Sequence, residues 1–277
     1  MIQAVLNGKS KGYEYTEDIL TSTVFGTLRY LRPDAVLIPF IESAFLYDEK
    51  RTPLWEKLNL EGIELRCYRE VEYVFWAWHS KKGEPDLILV FKNHIHGDED
   101  FLLVIEAKFK SGKSGTEEND QLVRYYEAIS DEHIDQFIEP TVSEFKGKKG
   151  YIVYLTESKA YSDIMASTKL LQSKNQDISR NLFHLRWHQL YKTIEKVYSS
   201  YSTYEKSIVD DLMAYMDEVG LRDFAGISLP DKSLLISFSP LHPIFYQGEV
   251  PLIDKSTYFD QLINVEFHID KNVFFRG

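Results

Sequence analysis

Two carboxylates with a lysine beside them have the types and spacing to hold a divalent cation. Asp86 precedes the run Leu87-Ile88-Leu89-Val90-Phe91, and Glu106-Ala107-Lys108 follows the run Phe101-Leu102-Leu103-Val104-Ile105. If the two runs pair symmetrically about His96, Asp86 stands opposite Glu106. Directly opposed residues in an antiparallel pair have Cα atoms about 4.5–5.5 Å apart. Two carboxylates that close repel each other, and a divalent cation is the usual neutraliser. Strand alternation puts Glu106 and Lys108 on one face and Ala107 on the other. The expected product is two carboxylates and an ammonium where an apolar hairpin meets water.

The elements that must position these groups follow from the apolar pattern. Short continuous runs rich in Val, Ile and Phe suit strands buried on both faces. The stretch from Lys92 to Asp100 is too polar for a third buried element, so a long antiparallel hairpin is expected. Before it, Thr16 is an expected N-cap, with Glu17 and Asp18 in the first helical turn. Leu20, Val24, Leu28 and Leu31 form one stripe, and Pro33 ends that helix. Glu17 lies one turn before Leu20 and shares the stripe, whereas Asp18 points aside. Residues 62–78 read as the first strand, with Ile63, Leu65 and Cys67 alternating with polar residues. A helix over about 117–129 follows the hairpin, then a strand at 151–155, a polar helical stretch and a strand at 182–187. Helices are expected over 188–198 and 204–219, the second ending at Gly220. This order makes a mixed α/β sheet flanked by helices. Residues 227–277 change character, with short apolar runs, several Pro and Gly, and many Phe. The expected organisation is therefore a domain over 1–226 and a small β-rich appendage over 227–277.

The set Pro85-Asp86, then Glu106-Ala107-Lys108, resembles the PD-(D/E)xK nuclease superfamily. The tripeptide alone also fits Glu144-Phe145-Lys146, Glu157-Ser158-Lys159 and Asp48-Glu49-Lys50, and Pro33-Asp34 and Pro230-Asp231 fit the first half. Only the set at 86, 106 and 108 has both halves on paired apolar runs. Gln121-Leu122-Val123-Arg124-Tyr125 is similar to the Gln-x-x-x-Tyr motif of the RecB-like branch, and its i,i+4 spacing puts both polar groups on one helix face. The resemblance covers roughly residues 10–190. It implies a restriction-endonuclease-like core and a Mg²⁺-dependent deoxyribonuclease, with Mn²⁺ able to substitute. Asp86, Glu106 and the Ala107 carbonyl would hold the metal, assisted by Glu17, since the superfamily often places an acid on its first helix. Lys108 would orient the attacking water or stabilise charge on the phosphate. Gln121 and Tyr125 would position the site or the DNA backbone. Restriction, phage defence and DNA repair all suit such an enzyme, as do a homodimer or the partner proteins of a defence complex.

The composition bounds this reading. The 277 residues are 44% hydrophobic and 27% charged, which suits a globular protein. The single Cys67 excludes an intrachain disulfide and fits a reducing cytoplasm. Residues 1–9 lack the apolar core of a secretion signal, and no apolar run approaches the ~20 residues of a membrane helix. The net charge of −11 argues against a protein that coats DNA. A local basic surface would suffice for a nuclease, and Lys81-Lys82, Lys108/Lys110/Lys113 and Lys146/Lys148/Lys149 lie near the ends of expected strands.

Other chemistry finds less support. His94, His96, Asp98, Glu99 and Asp100 sit eight to ten residues from the acids, roughly 26–33 Å along a strand, which suits a solvated turn. His184 and His188 read as packing or capping residues, and Cys67 as inert within a strand. Ser111-Gly112-Lys113-Ser114-Gly115 lacks the spacing of a phosphate loop, and no nucleophile elbow, Cys-x-x-Cys pair or dinucleotide fingerprint occurs. The alternative to a nuclease is a catalytically silent nuclease-like fold that binds DNA or a partner, alone or within a larger defence assembly. A buried charged cluster is costly in a fold that has no use for it.

Overall fold

The computed structural model describes residues 2, 7, 16–77, 83–92, 100–111, 119–130, 145, 147, 149–157, 160–174 and 181–222. The β-rich appendage expected at 227–277, the hairpin turn around His94 and His96, and Lys81, Lys82, Lys113, Lys146 and Lys148 lie outside the described residues.

The hairpin strands are β2 (Leu87–Lys92) and β3 (Phe101–Lys108), and β3 is buried along its whole length. They pair antiparallel, with Leu87 opposite Ile105 and Phe91 opposite Phe101. Continuing that register by one residue sets Asp86 opposite Glu106, as the symmetric fold about His96 requires. Phe91 and Phe101 stack near the turn end with centroids 4.6 Å apart. β1 (Glu70–Phe75) flanks β2 antiparallel, while β4 (Lys149–Thr156) and β5 (Leu182–Arg186) continue the sheet parallel to β3. The sheet is thus mixed, in the order β1-β2-β3-β4-β5. Across the three parallel strands the register forms two rows, Glu106–Tyr154–His184 and Lys108–Thr156–Arg186.

Helices cover both faces. One apolar cluster takes Leu89, Leu103, Ile105 and Ala107 from the sheet together with residues of α1 (Glu17–Leu28), α2 (Leu37–Glu42), α3 (Leu54–Leu60), α6 (Trp187–Val197) and α7 (Thr203–Glu218). The other takes Ile88, Val90, Leu102 and Val104 with α4 (Gln121–Ser130) and α5 (Tyr161–Ser173). Every second strand residue feeds one cluster, which is why both runs are continuously apolar. α4 starts at Gln121, where the preceding Asp120 accepts from the Val123 amide at 3.1 Å and caps the helix.

Three boundaries differ from the sequence reading. α1 ends at Leu28, well before Pro33, because the chain tightens into turns from Tyr30 to Thr27 and from Leu31 to Leu28, and Leu31 is buried by that turn. Residues 62–69 are not strand. Leu65–Cys67 form a 3₁₀ turn, closed by the Cys67 and Tyr68 amides on Glu64 and Leu65, and only Glu70–Phe75 joins the sheet. A turn that buries Ile63 and Leu65 meets the same alternation as a strand. Trp187 is the first residue of α6 rather than the last of β5.

Candidate metal centre

The acids converge at the C-terminal end of β3. Glu17, Asp86 and Glu106 each offer a carboxylate oxygen, and these oxygens lie within 4.8 Å of one another. Glu17 comes from the first turn of α1, Asp86 from the approach to β2, and Glu106 from β3. Asp18, the neighbouring acid, is exposed and stands outside the group.

Hydrogen bonds fix each carboxylate. Asp86 Oδ2 accepts from the Ala107 amide at 2.8 Å, which locks the approach to β2 onto the end of β3. Lys108 Nζ donates to Glu106 Oε1 at 2.6 Å and to Glu17 Oε1 at 2.8 Å. Glu17 Oε2 accepts from the Phe109 amide at 3.1 Å and from the Ser111 hydroxyl. Glu106 Oε2 is buried with no hydrogen-bond partner among the described residues. A buried carboxylate oxygen left so is costly.

The electrostatics follow from burial. Asp86, Glu106 and Lys108 are 8%, 1% and 6% exposed. Burial pushes the Asp86 carboxyl up to about 6. Burial, then the Asp86 charge, pushes Glu106 up to about 8, although the contact with Lys108 pulls towards the anion. Burial alone would lower Lys108, but Glu106 and Glu17 outweigh it and its pKa is raised.

Of the remaining expected site residues, Gln121 and Tyr125 share one face of α4, with Gln121 Nε2 3.0 Å from the Tyr125 hydroxyl. Burial, and next the Glu106 charge, raises the pKa of Tyr125, so its hydroxyl stays protonated beside the acids. Gln121 Oε1 is buried without a hydrogen-bond partner among the described residues. Of the seven expected residues, Glu106, Ala107 and Lys108 end β3, Asp86 precedes β2 and is tied to Ala107, Glu17 opens α1, and Gln121 and Tyr125 share α4.

Other parts of this end gave no signal in the sequence. Trp187, fully buried, donates its indole N–H to the Lys108 carbonyl at 3.2 Å. Ser111 opens the stretch whose spacing does not fit a phosphate loop and gave no other signal. Nothing in local spacing announces either contact, because their partners lie 79 and 94 residues away.

The donors suit a hard divalent cation: they are all oxygen, and they include a buried carboxylate oxygen with no partner among the described residues.

No protein-family profile matches the chain, and no curated protein does. Among solved structures, the restriction endonuclease FokI bound to DNA is similar over 70% of this chain and 32% of its own, at 14% identity and a TM-score of 0.30. The present chain thus spans less than half the length of that one. None of the described helices is long and apolar enough to cross a membrane.

Proposed function

We propose that this chain is a divalent-metal-dependent nuclease acting on DNA, with a restriction-endonuclease-like core. The observation that carries the reading is the convergence of Glu17, Asp86 and Glu106, from three separate elements, around a buried lysine. Three carboxyls gathered in an apolar sheet end repel one another, and folding tolerates this where a cation repays it.

In this reading Asp86, Glu106 and the Ala107 carbonyl would hold Mg²⁺ or Mn²⁺, with Glu17 assisting. A divalent cation there would supply a lowered pKa for an attacking water and positive charge against the scissile phosphate. Lys108 supplies a fixed positive charge at the same place, and its two carboxylate partners keep the ammonium aimed into the site. Gln121 orients the Tyr125 hydroxyl, which holds position beside Glu106. Trp187 steadies the strand end that carries Lys108.

A second reading draws on the two contacts by which Lys108 already balances Glu17 and Glu106. There the cluster is a structural knot in a subunit that binds DNA or a partner without cutting. Purified protein incubated with supercoiled and linear DNA separates the two. Cleavage in Mg²⁺ or Mn²⁺ that EDTA stops is the expected result. No cleavage with either metal on either DNA form favours the second reading.

A further inference from the structure

The polar rows of the sheet do not stop at the acids. From Lys108 the row continues through Thr156 to Arg186, and from Glu106 through Tyr154 to His184. Strands are about 4.8 Å apart, so Arg186 lies roughly 10 Å from Lys108 along the sheet end. Measured along the axis of a duplex, that distance corresponds to about three nucleotide steps of one strand.

Beyond the last strand the row opens into a cavity of about 500 Å³ lined by Tyr47, Arg51, Tyr161, His184 and Arg186 among others. Its wall is built. His184 is buried, with Nδ1 3.0 Å from the Tyr47 hydroxyl and Nε2 2.9 Å from the Thr156 hydroxyl. Tyr47 stacks on the His184 ring at 5.2 Å and meets Tyr161 edge-on at 5.5 Å. Tyr161 is 58% exposed, a large aromatic face turned to water.

Two cations face this space. Arg186 has its Nε buried with no hydrogen-bond partner among the described residues. Arg51 adopts a φ of 51°, in the left-handed region that non-glycine residues seldom occupy. The loop that imposes this is tied by Asp48, whose carboxylate accepts from the Thr52 amide at 2.8 Å and from its hydroxyl at 2.5 Å. Asp48 and Glu49 also line the cavity, but Asp48 has an oxygen on each Thr52 donor. Strain held in place beside a guanidinium whose Nε has no hydrogen-bond partner among the described residues is the pattern of a ligand clamp.

We propose that this cavity is a nucleotide subsite, in which Arg51 and Arg186 take a phosphate and Tyr161 takes the adjoining base ring. Guanidinium groups bind phosphate through charge-assisted, often bidentate bonds, and aromatic faces stack bases with little regard to sequence. The chemistry is that of one nucleotide unit, supplied by a flanking position of a bound strand or by a free mononucleotide. The first source rests on the nuclease reading above.

The test measures binding to the full chain in EDTA, so that no cutting intervenes. The probes are dAMP, inorganic phosphate and a short single-stranded oligo-dA. The proteins are wild type, Arg51→Gln, Arg186→Gln, Tyr161→Ala and Glu218→Gln. Each cavity substitution is expected to weaken oligo-dA binding by roughly tenfold or more, the scale of a lost charge-assisted bond or stacked base. Glu218→Gln, an exposed acid at the end of α7, is expected to bind oligo-dA as wild type does. Arg186 opens α6, so Arg51→Gln and Tyr161→Ala carry the test if Arg186→Gln fails to fold. Arginine-dependent binding of dAMP as well identifies the free nucleotide as a ligand, and binding of oligo-dA alone identifies the strand. Inorganic phosphate bound as tightly as either, or unchanged affinity in the cavity variants, overturns the subsite. Arginine-dependent binding by a wild type that cuts nothing sinks the nuclease reading and leaves the subsite standing. Normal cutting with unchanged binding in the cavity variants does the reverse.

Discussion

Glu106 has one oxygen on Lys108 and the other buried with no hydrogen-bond partner among the described residues. Its carboxyl is pushed up to about 8 and that of Asp86 to about 6, so the folded protein holds their protons more tightly than the unfolded chain. Folding is therefore favoured by these groups below about pH 4, where both states are protonated, and that contribution is lost as pH rises through about 8. Metal-free wild type should lose stability relative to Glu106→Gln between pH 5 and 8, read as a widening gap in melting temperature across about that range. A gap that narrows would mean that the Lys108 contact governs the pair. Lys108→Met tests the opposite charge. It keeps most of the stem volume but leaves Glu17 and Glu106 without their ammonium, so the metal-free protein should be less stable and gain more from Mg²⁺ than wild type does. Single-turnover cleavage of a linear duplex should fall by about 10²–10³ while calorimetry still detects metal binding. Asp86→Ala and Glu106→Ala should each abolish cleavage with the circular dichroism spectrum intact. Wild-type rates in either variant would remove it from the site.

At the scale of elements, the site depends on how helix starts meet strand ends. Gln121→Ala removes the donor that orients Tyr125 and should cut the cleavage rate severely without unfolding α4, whose buried face is Leu122, Tyr125 and Ile129. Trp187→Phe should lower stability by about 1–3 kcal/mol, the cost of stranding the buried Lys108 carbonyl, and should slow cleavage with it. A chemical denaturation curve and a rate on the same preparation decide that prediction. The hairpin and its register were legible because two apolar runs of equal length flank one polar turn, and symmetry then leaves a single pairing. Gln121 and Tyr125 were legible through i,i+4 spacing, and Glu17 through its place on the Leu20 stripe. The chain before β1 was misread because period-two burial describes the 3₁₀ turn at Leu65–Cys67 as well as it describes a strand. Trp187 was misassigned because it continues the alternation of Phe183 and Leu185 in β5, while the helix it opens is set by the Gln189 side chain, which accepts from the Arg186 amide at 2.8 Å. The β4–β5 end was not legible at all, since His184, Tyr47 and Arg51 meet only in three dimensions.

For the whole molecule, a net charge of −11 makes broad electrostatic adhesion to DNA unfavourable and leaves the sheet end as the place for phosphate contact. Duplex binding in EDTA should then depend only modestly on salt. With Arg51, Lys108, Lys110 and Arg186 as the contacting cations, a log–log slope no steeper than about −4 is expected, at roughly −0.9 per phosphate neutralised. A much steeper slope would locate the DNA contact elsewhere. The chain divides into two units, Met1–Phe224 and Ala225–Gly277, and the first contains the candidate site. A fragment of residues 1–226 should melt cooperatively and retain divalent-cation binding, which calorimetry can check.

The sheet order, in which every strand lies beside its neighbours in the chain, bears on how the protein is made. On the ribosome each new strand meets an edge already laid down, so the sheet can grow from its N-terminal side without waiting for distant segments. Glu17, Asp86, Glu106 and Lys108 have all been synthesised before β4 begins. The indole that holds the Lys108 carbonyl emerges 79 residues after it. A nascent chain thus carries the charges well before it carries their buttress, and the site gains its final geometry only when synthesis has passed the sheet.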